Sequence, residues 1–122
     1  MIIGILNESF EPSIPLLCAD RNGRWRRITV AIDTGFSGFL TLHPDIIAEL
    51  EGFRFGTTRF EVADGSEIEF PTFTMKVQWD GFERRIVALA SEAGSLVGMK
   101  MIKGWRLQIN AVEGGDVRIE RL

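Results

Sequence analysis

One stretch of the chain decides the fold: Val30-Ala31-Ile32-Asp33-Thr34-Gly35-Phe36-Ser37-Gly38, where an apolar strand ends abruptly at a carboxylate, a hydroxyl and a glycine. The strand would place Asp33 at its end, between buried flanks. Gly35 can adopt backbone angles closed to other residues, so amide groups can turn back toward the carboxylate. The same pattern also suits a strand that ends in an Asx-turn, and its surroundings are needed to choose.

Around this stretch the chain consists of short apolar segments separated by turn signals. Asn22-Gly23, Asp64-Gly65 and Asp80-Gly81 are dipeptides typical of tight hairpins. We predict two short helices, at Pro44–Leu50 and Met99–Lys103. The pattern favours an all-β fold, a small barrel or sandwich. The predicted strands are Ile2–Leu6, Ile14–Ala19, Trp25–Ile32, Phe39–Leu42, Thr57–Val62, Glu67–Phe70, Phe73–Trp79, Phe82–Ala90, Leu96-Val97, Trp105–Ala111 and Val117–Leu122.

The bulk properties set limits on the class of protein. A length of 122 residues suits one domain, 1–122, and 45% hydrophobic with 25% charged residues excludes disorder. The net charge of −3 argues against nucleic-acid binding, which needs a basic surface. No apolar run approaches the ~20 residues of a membrane span, and the first residues lack a signal peptide. We therefore expect a cytoplasmic protein with no membrane association.

The single cysteine and single histidine have structural interpretations. Cys18 is alone, which excludes an internal disulfide and fits a reducing compartment. It follows Leu16-Leu17 in an apolar run, which favours a buried position over a thiolate nucleophile. His43 precedes Pro44 and would lie at the helix start. Without a cluster of Cys and His we predict no metal site.

A second motif helps to interpret the first. Ser95-Leu96-Val97-Gly98 follows about sixty residues after Asp33-Thr34-Gly35, and a short helix comes next. In this order the two motifs resemble those of the retropepsin-like aspartic proteases, particularly their small single-domain prokaryotic branch. The resemblance runs nearly end to end. It takes in Ala31–Leu42, the Pro44–Leu50 helix, Val62-Ala63-Asp64-Gly65-Ser66 and Leu96-Val97-Gly98-Met99 through Trp105-Arg106-Leu107.

The resemblance implies a closed β-barrel that works as a symmetric homodimer. The dimer would bring two copies of Asp33 together as a catalytic dyad, with Thr34 and Gly35 supporting it. Because the chain has one such motif, the second carboxylate must come from a second copy. The strands Ile2–Leu6 and Val117–Leu122 could form the dimer interface, or could complete the subunit's own sheet.

The expected activity is that of an aspartic endopeptidase acting on a peptide or protein substrate without metal or organic cofactor. The hairpin Ala63-Asp64-Gly65-Ser66 would be the flap that closes over the substrate. Apolar pocket walls are implied, which would come from Ile32, Phe36, Leu96, Val97 and Gly98.

Two residues depart from the family pattern. Phe36 stands where pepsin-like enzymes carry a serine that hydrogen-bonds the acid, and its ring would either narrow the cleft or pack into the core. Lys100 replaces a commonly acidic or amide residue, and would either pair with a carboxylate or alter the dimer geometry. Both departures favour the alternative function, a weakly active or inactive barrel that serves peptide binding or dimerisation.

Overall fold

The computed structural model describes residues 1–50 and 53–122, with the backbone alone for 53–58 and 60, and within these ranges it contains ten strands and two short helices. The helices are α1 (Pro44–Leu50) and α2 (Met99–Ile102). The strands are β1 (Ile2–Leu6), β2 (Pro12–Ala19), β3 (Trp25–Ile32), β4 (Leu40–Leu42), β5 (Phe53–Glu61), β6 (Glu67–Trp79), β7 (Phe82–Ala90), β8 (Leu96–Val97), β9 (Trp105–Ile109) and β10 (Asp116–Arg121).

The strands form one sheet in the order β5-β6-β7-β4-β8-β3-β2-β1-β10-β9, and β6 pairs in addition with β2. In that extra pairing Leu17 lies opposite Gln78 and Cys18 opposite Val77. The pairings therefore close a cycle of six strands, β6-β7-β4-β8-β3-β2. Within this cycle, β8 runs parallel to β3 and antiparallel to β4.

The predicted hairpin turns are present where Asn-Gly and Asp-Gly stand in the sequence. Gly23, Gly65 and Gly81 have φ angles of 78°, 85° and 81°, a region that side chains other than glycine rarely adopt. The prediction of an all-β chain with two short helices is confirmed, and α1 has the predicted bounds.

One predicted break is wrong: Glu67–Phe70 and Phe73–Trp79 are a single strand, β6. Pro71 lies between the two predicted segments, and proline cannot donate to a strand ladder. In the structure Pro71 pairs only with Thr57 of β5, because the pairing with β7 begins one residue later, at Thr72. The missing N–H thus lies at a position with one neighbouring strand, where proline is tolerated.

The strands at the two ends of the chain complete the subunit's own sheet. β1 lies between β10 and β2, and β10 lies between β1 and β9, so both strands have a neighbour on each side. Of the two roles predicted for them, the structure shows this one. In residues 1–50 and 53–122, neither helix has the length and apolarity that crossing a membrane requires.

The core consists of alternate side chains of β2, β3, β6 and β7 together with residues of β10 and both helices. Cys18 is fully buried there, as predicted, beside Trp79 and Val77, which are also fully buried. Burial raises the pKa of the Cys18 thiol to about 12, because the apolar surroundings disfavour a thiolate. The thiol is therefore neutral in the folded protein near pH 7, which removes it as a nucleophile.

Cys18 should make the fold sensitive to alkali. The unfolded chain loses the thiol proton near pH 9, whereas the folded chain keeps it until about pH 12. This contribution to stability is therefore complete below pH 9 and is lost as pH rises through about 12. Between pH 8 and pH 10.5, the wild type should lose roughly 1–2 kcal/mol more unfolding free energy than Cys18→Ala, measured by urea denaturation. Equal losses of unfolding free energy in the two proteins would contradict the role of Cys18 in alkali sensitivity.

Candidate active site

Asp33 lies immediately beyond the end of β3, at the start of a loop that runs to Phe39. Its own N–H donates to the Val97 carbonyl oxygen of β8 at 2.9 Å, which fixes the backbone next to the buried Ile32. Its carboxylate Oδ1 accepts the Gly35 N–H at 2.9 Å, and its carbonyl oxygen accepts the Phe36 N–H at 3.2 Å. Asp33 as a whole is half-buried. One backbone donor, the Gly35 N–H, therefore turns back to the carboxylate as the sequence predicts. Gly35 does this without a positive φ angle, so the expectation that it adopts backbone angles closed to other residues is wrong.

Gly35 is needed for this turn because its Cα lies close to the acid. A Cβ added there would stand 3.2 Å from Asp33 Oδ1, a tighter contact than a methyl group ordinarily makes. Gly35 and Thr34 are exposed at the tip of the loop. The Thr34 hydroxyl has no hydrogen bond to any residue that the structure describes. The loop tip is thus open to a partner.

The loop is held in place by the start of α2. The N–H groups of Gly98, Met99 and Lys100 donate to the carbonyl oxygens of Phe39, Phe36 and Gly38, at 3.0, 2.8 and 3.1 Å. Three successive donors of one segment thus satisfy three acceptors of the other. Gly98 permits the approach: a Cβ there would overlap the Gly38 carbonyl oxygen and stand 2.7 Å from that of Phe36.

The Phe36 ring packs against the loop's own backbone. A Cβ on Gly38 would overlap the ring, and one on Gly98 would stand 2.6 Å from its Cδ2 atom. The side chain is half-buried. Two glycines, Gly38 and Gly98, make room for the ring on the loop frame. Whether Phe36 narrows the cleft or packs into the core stays a prediction.

Lys100 also finds an apolar partner. Its Nζ lies 5.7 Å from the centroid of the Phe39 ring, and the Arg84 guanidinium lies 5.9 Å from the same centroid. No carboxylate in the described part of the chain makes an ion pair with Lys100. The predicted carboxylate partner is therefore absent among these residues, and the ring face takes the charge instead.

The predicted flap lies at the tip of the hairpin formed by β5 and β6. Ala63, Asp64, Gly65 and Ser66 are all exposed. The carboxylate of Asp64 accepts the Ser66 hydroxyl at 2.6 Å and the Ser66 N–H at 2.9 Å. The Ser66 hydroxyl and then the Ser66 N–H lower the pKa of Asp64, because both bonds favour the ionised carboxylate. Asp64 thus shapes the turn.

The remaining predicted pocket residues divide between core and surface. Ile32 and Val97 are buried members of the core, while Leu96 is half-buried like Phe36. The structure therefore brings Asp33, Phe36 and Leu96-Val97-Gly98 together, and it places the predicted flap on a separate hairpin. Sequence reasoning did not single out Gly38 and Phe39, whose carbonyl oxygens accept the hydrogen bonds from α2. The glycines at positions 35 and 38 were the signal that could have marked this loop.

Comparison with solved structures identifies a similar fold. The chain matches the crystal structure of a retropepsin-like aspartic protease from Rickettsia conorii with a TM-score of 0.62, over 99% of this chain and 90% of that chain. The fold is retropepsin-like. Sequence identity over the match is 18%, so the likeness is one of fold. No protein-family model matches the chain, and no curated protein does.

Gly98→Ala should destabilise the contact between the start of α2 and the Asp33 loop. The new methyl group would overlap backbone atoms, which cannot rotate away as a side-chain end can. We expect a loss of roughly 3 kcal/mol in unfolding free energy, at the upper end of ordinary overpacking. Ser37→Ala, an exposed change in the same loop, should stay within about 0.5 kcal/mol of wild type. Urea denaturation of both variants measures the difference, and similar stabilities would show that the loop does not depend on this contact.

Proposed function

We propose that this protein is an aspartic endopeptidase that acts as a symmetric homodimer, each copy supplying one Asp33. The observation that carries the proposal is the loop itself: the Asp33 carboxylate is held by the Gly35 N–H, on a loop fastened to α2, with Thr34 exposed and open to a partner. The retropepsin-like fold supports the assignment. Residues 1–122 form one domain in this proposal, with the cycle of six strands as a closed barrel.

The chemistry needs both copies of Asp33. Two carboxylates about 3 Å apart cannot both be ionised, so the pair shares one proton. The ionised member takes a proton from a water molecule as the water attacks the scissile carbonyl. The protonated member hydrogen-bonds the carbonyl oxygen, and a proton then passes to the leaving amine. Thr34 and Gly35 position the acids, and no metal or organic cofactor takes part.

The proposed substrate is an extended peptide held between the loop and the flap. Ala63, Asp64, Gly65 and Ser66 would cover it, and the surfaces of Phe36 and Leu96 would contact its side chains. Ile32, Val97 and Gly98 would support that surface from beneath, since all three are buried. Apolar side chains on the substrate fit these walls best.

Asp33→Asn should abolish peptide cleavage while the dimer persists. An amide cannot act as the general base, and we expect a fall of at least about 1,000-fold in the rate on a labelled peptide library. Asp45→Asn changes an exposed carboxylate in the first turn of α1 and should leave the rate unchanged. Sedimentation velocity checks the dimer.

The outcomes separate the proposed functions. Cleavage that survives in Asp33→Asn would remove Asp33 from the mechanism. Wild-type protein that binds extended peptides yet cleaves none between pH 3 and pH 8 would favour the peptide-binding barrel.

The dimer is expected to form through β9. β5 and β9 are the two outer strands of the sheet in the described part of the chain, and β5 leads to the proposed flap, which must stay free. β9 follows directly on α2, which holds the Asp33 loop. Pairing of two β9 strands would therefore bring the two loops toward the same axis.

The hydrogen-bond register of β9 shows which groups are open. Asn110 N–H donates to the Asp116 carbonyl, and Leu122 N–H donates to the Gly104 carbonyl. In an antiparallel ladder bonding residues alternate, so the main-chain groups of Trp105, Leu107 and Ile109 point away from β10. These groups are the ones that a second copy of β9 would bind.

Leu107→Pro should convert the dimer to a monomer. Proline removes the outward N–H and leaves the ladder between β9 and β10 in place, since that ladder uses the neighbouring residues. Leu107→Ala is the matched control, because it removes the side chain and keeps the N–H. We expect Leu107→Ala to sediment as a dimer and Leu107→Pro as a monomer. A dimer in both variants would exclude β9 as the interface strand.

A further inference from the structure

A second site lies around Lys103, which directly follows α2. It is a pocket of about 240 Å³. Three aromatic rings and three cations line it: Trp79, Phe82, Trp105, Arg84, Lys103 and Arg121. No residue of the proposed catalytic loop or flap takes part. The pocket therefore needs an explanation of its own.

The three cations have no carboxylate partner in the described part of the chain. The ion pairs found there, with N–O distances up to 4.0 Å, include none of them. The carboxylates on the same and adjoining segments are engaged elsewhere. Asp80 binds the Met1 ammonium at 2.7 Å, Glu83 lies 4.0 Å from Lys76, and Glu120 lies 3.4 Å from Arg106.

The positions of the two arginines are fixed by neighbouring groups. The Arg121 guanidinium lies 5.0 Å from the Phe82 ring centroid and 5.3 Å from that of Trp105. Arg84 donates through Nη1 to the Met101 carbonyl oxygen at 3.0 Å, at the buried end of α2. Each of these contacts uses only part of a guanidinium, which carries five N–H donors. The remaining donors are available to a ligand.

The Trp79 side chain forms part of the pocket wall. Its side chain is fully buried, and its Nε1 is the buried side-chain polar atom without a hydrogen-bond partner among the described residues. The Trp79 ring meets Trp105 edge to face, with the ring centroids 6.2 Å apart. The two indole rings therefore form an apolar wall of the pocket.

We propose that this pocket binds a small phosphate monoester with a planar apolar group. A phosphoryl dianion has two charges and three acceptor oxygens, which match three cationic side chains better than a single carboxylate does. Arginine binds phosphate through two parallel N–H donors. The exposed Phe82 ring and Trp105 provide an apolar wall for the ester group. The volume lies below the usual lower limit of about 300 Å³ for drug-sized ligands, so the ligand is small.

The test is calorimetric titration of the wild-type protein with phenyl phosphate, inorganic phosphate and benzoate at pH 7.5. We expect saturable binding of phenyl phosphate, with weaker binding of inorganic phosphate, which lacks the ring. Benzoate should bind about tenfold or more weakly than phenyl phosphate, because it lacks one charge and one acceptor. Benzoate binding as tightly as phenyl phosphate would overturn the assignment to phosphate.

Variants locate the binding. Arg121→Gln and Lys103→Gln should each weaken phenyl phosphate binding about tenfold, since each removes a charged donor. Arg118→Gln is the control, because Arg118 is exposed on the same strand as Arg121 and pairs with Asp116. Thermal unfolding checks that all three variants are folded. No saturation by about 10 mM phenyl phosphate, or equal affinity in Arg121→Gln and wild type, would refute the site.

Discussion

The structure depends on three backbone hydrogen bonds between the start of α2 and the loop that carries Asp33. They join segments about sixty residues apart in the chain, and they require glycine at position 98 because the two backbones nearly touch there. Main-chain bonds are insensitive to side-chain identity. This explains how the loop geometry can coexist with two unusual side chains, Phe36 and Lys100, and with 18% identity to a protein of similar fold.

Those two side chains change the surroundings of the loop and leave its frame intact. Phe36 fills the space above Gly38 and Gly98, and Lys100 rests near the Phe39 ring together with Arg84. At both positions an aromatic contact thus stands where the family pattern described above has a polar side chain. Since Arg84 also binds the Met101 carbonyl, β7 and α2 are tied together directly beneath the loop.

The sequence alone predicted those features that depend on the backbone preferences of single residues. Asp-Gly and Asn-Gly located the hairpins, and Pro44 located the start of α1, because each of these residues restricts its own backbone. The continuity of β6 through Pro71 could not be predicted in this way, because a missing donor matters only if a neighbouring strand needs it, and strand neighbours are a tertiary property. The pocket around Arg84, Lys103 and Arg121 was equally out of reach, since its residues come from separate elements and form no motif.

The divided pairing of β6 has a mechanical consequence. From Thr72 to Thr74 the strand has β5 on one side and β7 on the other, whereas from Glu67 to Pro71 it has β5 alone. The outer part is a two-stranded ribbon, which is marginally stable in water and twists more than a larger sheet. Thr72 is where the ribbon joins the three-stranded part of the sheet. A change in the twist of the ribbon would leave the hydrogen bonds of the six-strand cycle intact.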